Sequence, residues 1–276
     1  MKLHEVAIKA GVRLQTHAEV NSTNEAALTV ARAGGRGPLW IIAQGQTAGR
    51  GRRGRCWHSQ PGNLFASLLL NDPGPVENTA QLSFVAALAL HDAILAVAPE
   101  LDGRLALKWP NDILLDEAKM AGILVEGERL ADGTFAAAIG IGVNCVQHPA
   151  DVGYPATNLA AGGVESSAED LFVALSGAMP MRLSQWRRGA GFDTLRSDWL
   201  ARAAGIGRPL RVAFSDRETF GVFEAIDDGG RLVLRLPNGQ AEIVTAADVV
   251  PLQKSPSAFT SPALTSSTTA AGDARE

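Results

Sequence analysis

The residues best suited to chemistry lie in one short stretch, residues 44–57, which reads QGQTAGRGRRGRCW. Four arginines alternate there with three glycines, and we call residues 47–57 the Gly-Arg loop. Glycine lets backbone N–H groups approach a ligand closely. Arginine presents a planar, permanently charged fork that matches phosphate or carboxylate oxygens. The pattern therefore favours a polyanionic ligand held by a mobile loop, with a solvated basic loop and a nucleic-acid patch as alternatives.

A second polar block, Lys108-Trp-Pro-Asn-Asp112, brings a cation, an amide and a carboxylate to one corner of the chain. Pro110 cannot donate to a strand ladder, so a simple hairpin corner would also explain this block. An aspartate beside phosphate-binding arginines could hold Mg²⁺, which prefers oxygen ligands. Lys119 follows at the entry to an apolar strand next to Gly122, where a long cation could reach across a site. A solvated loop lysine is the simpler interpretation of Lys119.

The charge balance argues against a protein devoted to nucleic acid. Lys plus Arg total 25 against 29 Asp plus Glu, a net charge of −4, whereas nucleic-acid-binding domains usually show a basic excess. Cys56 and Cys145 lie far apart, so neither a disulfide framework nor a zinc site is predicted. The charged N-terminus does not resemble a signal peptide, and no run of about 18 apolar residues suggests a membrane span. A cytoplasmic location follows by default.

Apolar periodicity and turn residues predict the elements that position these groups. Ser22 followed by Glu25 fits a capping box, which predicts a helix that ends at Gly34-Gly35. Asn78 with Gln81 fits a second capping box before a helix over residues 81–97. Residues from Ser167 to about Ala203 are also predicted to be helical.

Apolar runs bounded by turn residues predict the strands. The runs are 39–43, 64–70, 105–115 with a break at Pro110, 121–127 and 135–144. Gly140 in the last of them suggests close approach by a ligand or a neighbouring strand. Asn144 ends that strand and could bond either a ligand or the strand end.

A domain boundary is predicted at Gly205-Ile-Gly207, where the predicted secondary structure changes from helix to short strands. Beyond it, short strands are predicted over 210–214, 218–226, 231–236 and 240–244, with turns at 227–230 and 237–239. The predicted domains are therefore 1–204 and 205–253. The Ser-, Thr- and Ala-rich tail, 254–276, is predicted to be disordered.

Five motifs, in this order along the chain, together resemble biotin protein ligase. They are Ser22-Thr-Asn24, the run Gln46–Trp57, the block Lys108–Asp112, the segment Lys119–Val125 and Gly140-Ile-Gly-Val-Asn144. The arginine-glycine run followed by the Lys-Trp-Pro-Asn-Asp block is the most specific part of the likeness. The resemblance implies an α+β fold, in which a catalytic domain like that of class II aminoacyl-tRNA synthetases, a mixed sheet flanked by helices, precedes a small SH3-like β-barrel.

The resemblance also implies a two-step reaction that uses ATP and Mg²⁺ with biotin as substrate. The biotin carboxylate attacks the α-phosphate of MgATP, giving biotinyl-5′-AMP and pyrophosphate. A lysine of the apo biotin carboxyl carrier protein of acetyl-CoA carboxylase, or of a related carboxylase, then attacks this mixed anhydride and releases AMP.

The resemblance also implies roles for individual residues at the motif positions. The residues expected to bind biotin are Ser22, Thr23, Asn24, Gln46, Gly49, Arg50, Trp57, Gly122 and Gly140. The residues expected to bind nucleotide are Arg50, Arg52, Arg55, Lys108, Asn111, Asp112 and Asn144, with Asp112 also the candidate metal ligand. Lys119, Arg50 and Arg52 are expected to be catalytic, and the Gly-Arg loop is expected to order over the adenylate.

Two rival functions remain. Lipoate or octanoyl ligases share the implied fold and a site lysine, but are not expected to carry this arginine-glycine run. A nucleic-acid-binding regulator would use the arginines differently, and the net charge of −4 counts against it. About twenty residues precede Ser22, too few for the DNA-binding domain that some family members carry, so a monofunctional ligase without DNA or membrane binding is expected. A homodimer is left open.

Overall fold

The computed structural model describes residues 1–214 and 216–251, which form two β-sheets and five α-helices. The helices are α1 (Glu5–Lys9), α2 (Thr23–Arg32), α3 (Leu82–Val97), α4 (Ala168–Trp186) and α5 (Phe192–Leu200). The strands of the first sheet are β1 (Arg13–Val20), β2 (Leu39–Gln46), β3 (Leu64–Asn71), β4 (Leu105–Lys108), β5 (Asp112–Leu115), β6 (Ala118–Arg129) and β7 (Phe135–Val143). Those of the second are β8 (Pro209–Ala213), β9 (Glu218–Ile226), β10 (Leu232–Arg235), β11 (Ala241–Val244) and β12 (Asp248–Pro251).

The first sheet is mixed, with strand order β1-β2-β3-β7-β6-β5-β4. The β1–β2 pair is parallel and is connected through α2, whereas the other pairs are antiparallel. Helix α2 covers one face, where Ala27, Leu28 and Ala31 pack against Ile41 and other strand residues. Helices α3, α4 and α5 contribute to the larger core on the other face. The predicted mixed sheet flanked by helices is confirmed.

Helix α3 is the central helix of the larger core. The segment Val76–Val97 is long and apolar enough to cross a membrane by length and composition alone. However, 67% of its most apolar 18-residue stretch is buried inside the protein, as in the core helix of a folded domain. Burial in the protein core explains the apolar composition of this segment.

Both predicted capping boxes are wrong. Ser22 is the N-cap of α2, but its side chain makes no capping hydrogen bond, and Glu25 pairs instead with Arg32 at 2.7 Å. Gln81 lies at the end of a 3₁₀ turn and accepts a hydrogen bond from Trp186 Nε1 at 2.7 Å. Glu25 is engaged by a residue near the end of its own helix and Gln81 by a residue of α4, so the four-residue spacing of a capping box does not decide their hydrogen bonds. A capping box that the sequence analysis missed, Ser167 with Asp170, begins α4.

The helical region after Ser167 is divided into α4 and α5 by a turn. Arg187 and Arg188 adopt the left-handed conformation there, with φ of 48° and 60°. Helix α1 precedes β1, and its N-cap His4 accepts a hydrogen bond from Val6 N through its own ring.

The second sheet is antiparallel, with order β11-β10-β9-β8-β12. Its first four strands were predicted, and β12, which pairs with β8, was missed. The predicted disordered tail lies outside the described residues. The second sheet contacts the first part of the chain through Trp109, whose Nε1 donates to Gly230 O at 3.0 Å. The Trp of the Lys-Trp-Pro-Asn-Asp block is therefore a structural contact between the two sheets.

Arg182 links the three helices behind the first sheet. Its side chain is 11% exposed and lies 2.7 Å from Asp92 Oδ2 of α3 and 2.6 Å from Asp198 Oδ2 of α5. Removing Arg182 takes away charged hydrogen bonds from the Asp92 and Asp198 carboxylates, which are 35% and 37% exposed. We expect Arg182→Ala to lower the free energy of unfolding by about 2 kcal/mol, measured by urea denaturation. The control Arg36→Ala removes an exposed pair with Asp132 and should cost less than about 1 kcal/mol; equal losses would contradict the prediction.

Candidate active site

The strand register places four candidate residues in one row. In the strand register, Lys108 lies opposite Asp112, Asp112 lies opposite Gly122, and Gly122 lies opposite Gly142. Directly opposed residues on neighbouring strands project to the same face of a sheet. This row continues to Phe65 of β3 and lies on the face that carries α2. Residues 34 positions apart in the chain therefore meet at one surface.

A cavity of about 1350 Å³ opens over this row. The residues predicted for the site that line it are Ser22, Thr23, Asn24, Gln46, Arg50, Arg52, Arg55, Trp57, Lys108, Asn111, Asp112, Lys119, Gly122 and Gly140. Gly49 and Asn144 do not line it. The structure thus brings together all but two of the predicted site residues.

Trp57 lies directly on the sheet because two glycines leave room for its ring. A Cβ at Gly142 would lie 2.5 Å from Trp57 Cε2, and a Cβ at Gly122 would lie 2.9 Å from Trp57 Cζ3. Side chains at either position would displace the indole. The ring forms an apolar wall of the cavity.

A buried neutral polar cluster lies at the N-terminus of α2. Thr23 N donates to Gln46 Oε1 at 2.8 Å, and Ser67 Oγ donates to Asn24 Oδ1 at 2.6 Å. Gly140 permits this packing, since a Cβ there would lie 2.5 Å from Asn24 Oδ1. Ser67 was missed by the sequence analysis, although a single serine in the apolar strand LFASLLL was a signal. The cluster suits an uncharged polar ligand group.

The Gly-Arg loop is a closed hairpin in this structure. Arg50 and Cys56 form an antiparallel bridge, Gly51 N donates to Arg55 O at 2.7 Å, and Trp57 N donates to Gly49 O at 2.9 Å. A Cβ at Gly49 would lie 2.7 Å from Trp57 O, so Gly49 permits the hairpin to close. Its position supports the loop rather than a ligand contact.

Three of the four loop arginines are paired with carboxylates. Arg50 Nη2 lies 2.9 Å from Glu126 Oε2, while Arg53 and Arg55 both contact Asp248. Arg52 forms no ion pair within the described residues. Its Nη1 donates to Asn111 Oδ1 at 3.1 Å. Arg52 is thus the loop cation left for an anionic ligand.

Two lysines add positive charge to the cavity. Lys119 Nζ lies 2.7 Å from Asp112 Oδ1 and within 5.7 Å of the ring centroids of Trp57 and Tyr154. Lys108 forms no ion pair in the part of the chain that the structure describes. Burial lowers the pKa of Lys108 below its usual value, although the nearby Asp112 carboxylate opposes that change.

Burial also lowers the pKa of Arg52, and Asp112 again opposes the shift. Both shifts mean that the protein does not fully compensate these charges. An anion in the cavity would supply the missing countercharge.

Asn144 lies beside the cavity rather than in its wall. Its Nδ2 donates to Thr157 O at 3.1 Å, and its O accepts from Leu159 N at 3.1 Å. These bonds tie residues 157–159 to the end of β7. Asn144 borders a small crevice that Trp57 and Lys119 also line.

Sequence comparisons agree with this geometry. The model of the Biotin/lipoate A/B protein ligase family matches residues 18–144, and that of the Biotin protein ligase C terminal domain matches residues 205–250. The biotin--[acetyl-CoA-carboxylase] ligase of Paracoccus denitrificans is 42% identical over 243 residues, covering 84% of this chain and 98% of that protein. This chain belongs to the biotin protein ligase family.

Two further biotin ligase relatives extend the likeness. The bifunctional ligase/repressor BirA of Bacillus subtilis is 32% identical over 260 residues, covering 89% of this chain and 78% of that protein. The structure of the Aquifex aeolicus biotin protein ligase in complex with biotin and ATP superposes with a TM-score of 0.72. It covers 88% of this chain and 99% of that one at 24% identity, which shows a shared fold. The predicted synthetase-like domain with an SH3-like C-terminal domain is confirmed.

Replacing Gly142 should expose Trp57. The other four tryptophans are buried, so acrylamide quenching of fluorescence reports mainly on Trp57. We expect Gly142→Ala to increase the quenched fraction and to cost about 1–3 kcal/mol of stability, because the new methyl group overpacks the ring. Gly45→Ala is the matched control, since its nearest neighbour would lie 3.8 Å away. Equal quenching in both variants would refute the stacking contact.

Proposed function

We propose that this protein activates biotin as biotinyl-5′-AMP and transfers the biotinyl group to a lysine of a biotin carboxyl carrier protein. The observation that carries the proposal is one cavity with two kinds of lining. At the N-terminus of α2 the lining is neutral and polar, and beneath the Gly-Arg loop it holds Arg52 and Lys108, two partly buried cations that form no ion pair with any carboxylate of the described residues. Biotin has a neutral polar head and a carboxylate tail, and ATP supplies the second anion.

In the first step a biotin carboxylate oxygen attacks the α-phosphorus of ATP, and the bond to pyrophosphate breaks. The two anions repel each other unless cations neutralise both. Arg52, Lys108 and Lys119 provide positive charge around the row of strand residues. Preorganised charge of this kind stabilises the charge that develops in the transition state.

The neutral cluster is proposed to bind the biotin head group. Thr23, Asn24 and Gln46 present hydroxyl and amide groups there, with Ser22 at the helix N-terminus. Partial positive charge at a helix N-terminus also favours ligand oxygens. Trp57 would pack along the apolar part of biotin, over Gly122.

The geometry favours a division of work among the loop arginines. Arg50 is engaged by Glu126 and Glu25, so we propose that it anchors the base of the loop. Arg52 is proposed to contact the biotin carboxylate and the ATP phosphates. Asn144 is proposed to support the nucleotide side of the site through residues 157–159.

Asp112 fits a role as a Mg²⁺ ligand only together with substrate oxygens. Among the described residues no group of three or more His, Cys, Asp or Glu side chains could hold a metal on its own. Mg²⁺ is commonly bound through one or two carboxylates plus phosphates and water. When bound, Mg²⁺ would neutralise phosphate charge beside Asp112, and Lys119 would hold that carboxylate in place.

In the second step the acceptor lysine nitrogen attacks the biotinyl carbonyl carbon, and the bond to AMP breaks. The mixed anhydride hydrolyses readily in water, so a loop that covers it protects the intermediate. The acceptor is proposed to be the apo carrier protein of acetyl-CoA carboxylase, in accord with the name of the Paracoccus relative. We place the reaction in the cytoplasm, with residues 1–204 as the catalytic unit.

ATP–pyrophosphate exchange tests the acid that is activated. We expect exchange with biotin but not with lipoate, followed by ATP-dependent transfer of biotin to an apo carrier domain. Lipoate is the necessary comparison because the matched family includes lipoate ligases. Exchange with lipoate alone would replace the proposal with a lipoate ligase.

Lys119→Ala should suppress adenylate formation more than biotin binding. Loss of a charged contact to the reacting groups costs about 2 kcal/mol or more, which is roughly a 30-fold lower exchange rate. Biotin affinity, measured by calorimetry, should change less than about threefold. Lys9→Ala removes an exposed lysine and is the control. A fall in biotin affinity alone would show that Lys119 binds biotin without acting in the chemical step.

Arg52→Ala should let the adenylate escape from the enzyme. Arg52 is the loop arginine with no ion pair among the described residues, so its loss should speed dissociation of biotinyl-AMP by roughly 10–100-fold, measured by filter binding after a chase. Arg52→Lys keeps a charge and should be intermediate. Unchanged retention of the adenylate in Arg52→Ala would contradict the assignment.

A further inference from the structure

The Gly-Arg loop is attached to the second sheet as well as to the first. Arg55 Nη2 lies 2.8 Å from Asp248 Oδ1, and Arg53 Nη1 lies 3.3 Å from Asp248 Oδ2. Arg53 Nη2 also donates to Ala246 O at 3.1 Å. One carboxylate at the start of β12 thus binds two loop arginines, one on each oxygen.

The loop backbone separates these arginines from Arg52. Residues 52–54 form a 3₁₀ turn in which Arg53 has a φ of 56°. A left-handed arginine is uncommon and costs about 1 kcal/mol or more, so its surroundings must hold it in place. The contacts of Arg53 with Asp248 and Ala246 can do this. They leave Arg52, on the other side of the turn, facing Asn111 and the cavity.

We propose that Asp248 is a positioning residue that holds the Gly-Arg loop closed, so that the C-terminal sheet controls how long the adenylate is retained. The proposal rests on the function proposed above. In the part of the chain that the structure describes, Asp248 lies on the edge strand β12, which pairs with β8, and Asp248 contacts the loop arginines through its side chain.

The strength of the contact suits a loop that must also open. The side chains of Arg53, Arg55 and Asp248 are 34%, 53% and 41% exposed. Exposed ion pairs are individually weak and are screened by salt. The loop can therefore stay closed over the intermediate and still move aside for the acceptor lysine.

The first test compares adenylate release from Asp248→Asn and from the unaltered enzyme. We expect dissociation of biotinyl-AMP to become roughly 3–10-fold faster in Asp248→Asn, with a smaller change in the KM for biotin. Asp248→Glu should restore retention. The control Glu218→Gln removes a carboxylate of the same sheet that pairs with Arg211 instead of a loop arginine, and should release at the unaltered rate. Equal release from Asp248→Asn and Glu218→Gln would overturn the proposal.

A second test needs no substrate. Limited digestion with trypsin reports on exposure of the loop arginines, and Asp248→Asn should be cleaved within residues 50–55 several-fold faster than Glu218→Gln. Raising the salt concentration should accelerate loop cleavage in the unaltered protein more than in Asp248→Asn. Equal cleavage in both variants would overturn the contact. Failure of the unaltered enzyme to activate biotin would refute the proposed function instead, and the digestion would still decide whether Asp248 holds the loop.

Discussion

The antiparallel register of β4, β5, β6 and β7 is the constraint on which the site depends. It aligns Lys108, Asp112, Gly122 and Gly142 across four strands, on the face that carries α2. Because side chains alternate along a strand, a register shift of one residue would move the residue that a strand contributes to this row to the opposite face of the sheet. The glycine pair then admits Trp57, and the ring brings the end of the Gly-Arg loop against the sheet. The cavity is therefore a consequence of register rather than of any single motif.

Within this frame, the distribution of countercharge decides what each cation does. Carboxylates on α2, β6 and β12 form ion pairs with Arg50, Arg53 and Arg55. Arg52 and Lys108 form no ion pair among the described residues, and both line the cavity. Lys119 lies between these extremes, since Asp112 holds it beside Trp57. A site arranged in this way attracts anions to one place without making the protein basic overall, in keeping with its net charge of −4.

The second sheet contacts the rest of the protein at two places near Lys108 and Arg52. Trp109 reaches Gly230 on one side, and the loop arginines reach Asp248 on the other. Between them the chain that leads into the second sheet lies along the edge of β4, where Leu107 N donates to Arg202 O at 2.8 Å. The C-terminal sheet thus contacts the elements that carry Lys108 and Arg52. A change in the position of this sheet would therefore shift both residues.

The sequence by itself determined the elements and the chemistry they carry. Apolar runs bounded by turn residues predict most strands, and the Gly-Arg loop, the Lys-Trp-Pro-Asn-Asp block and Lys119 predict an anionic ligand. The two capping boxes failed because Glu25 and Gln81 found partners outside their own turns. Only the tertiary structure decided that Arg52 faces Asn111 and not a carboxylate of the described residues, that Ser67 joins the polar cluster and that Asp248 binds the loop. The reason is distance along the chain: Arg55 and Asp248 are 193 residues apart, and no local pattern encodes which charges the fold will bring together.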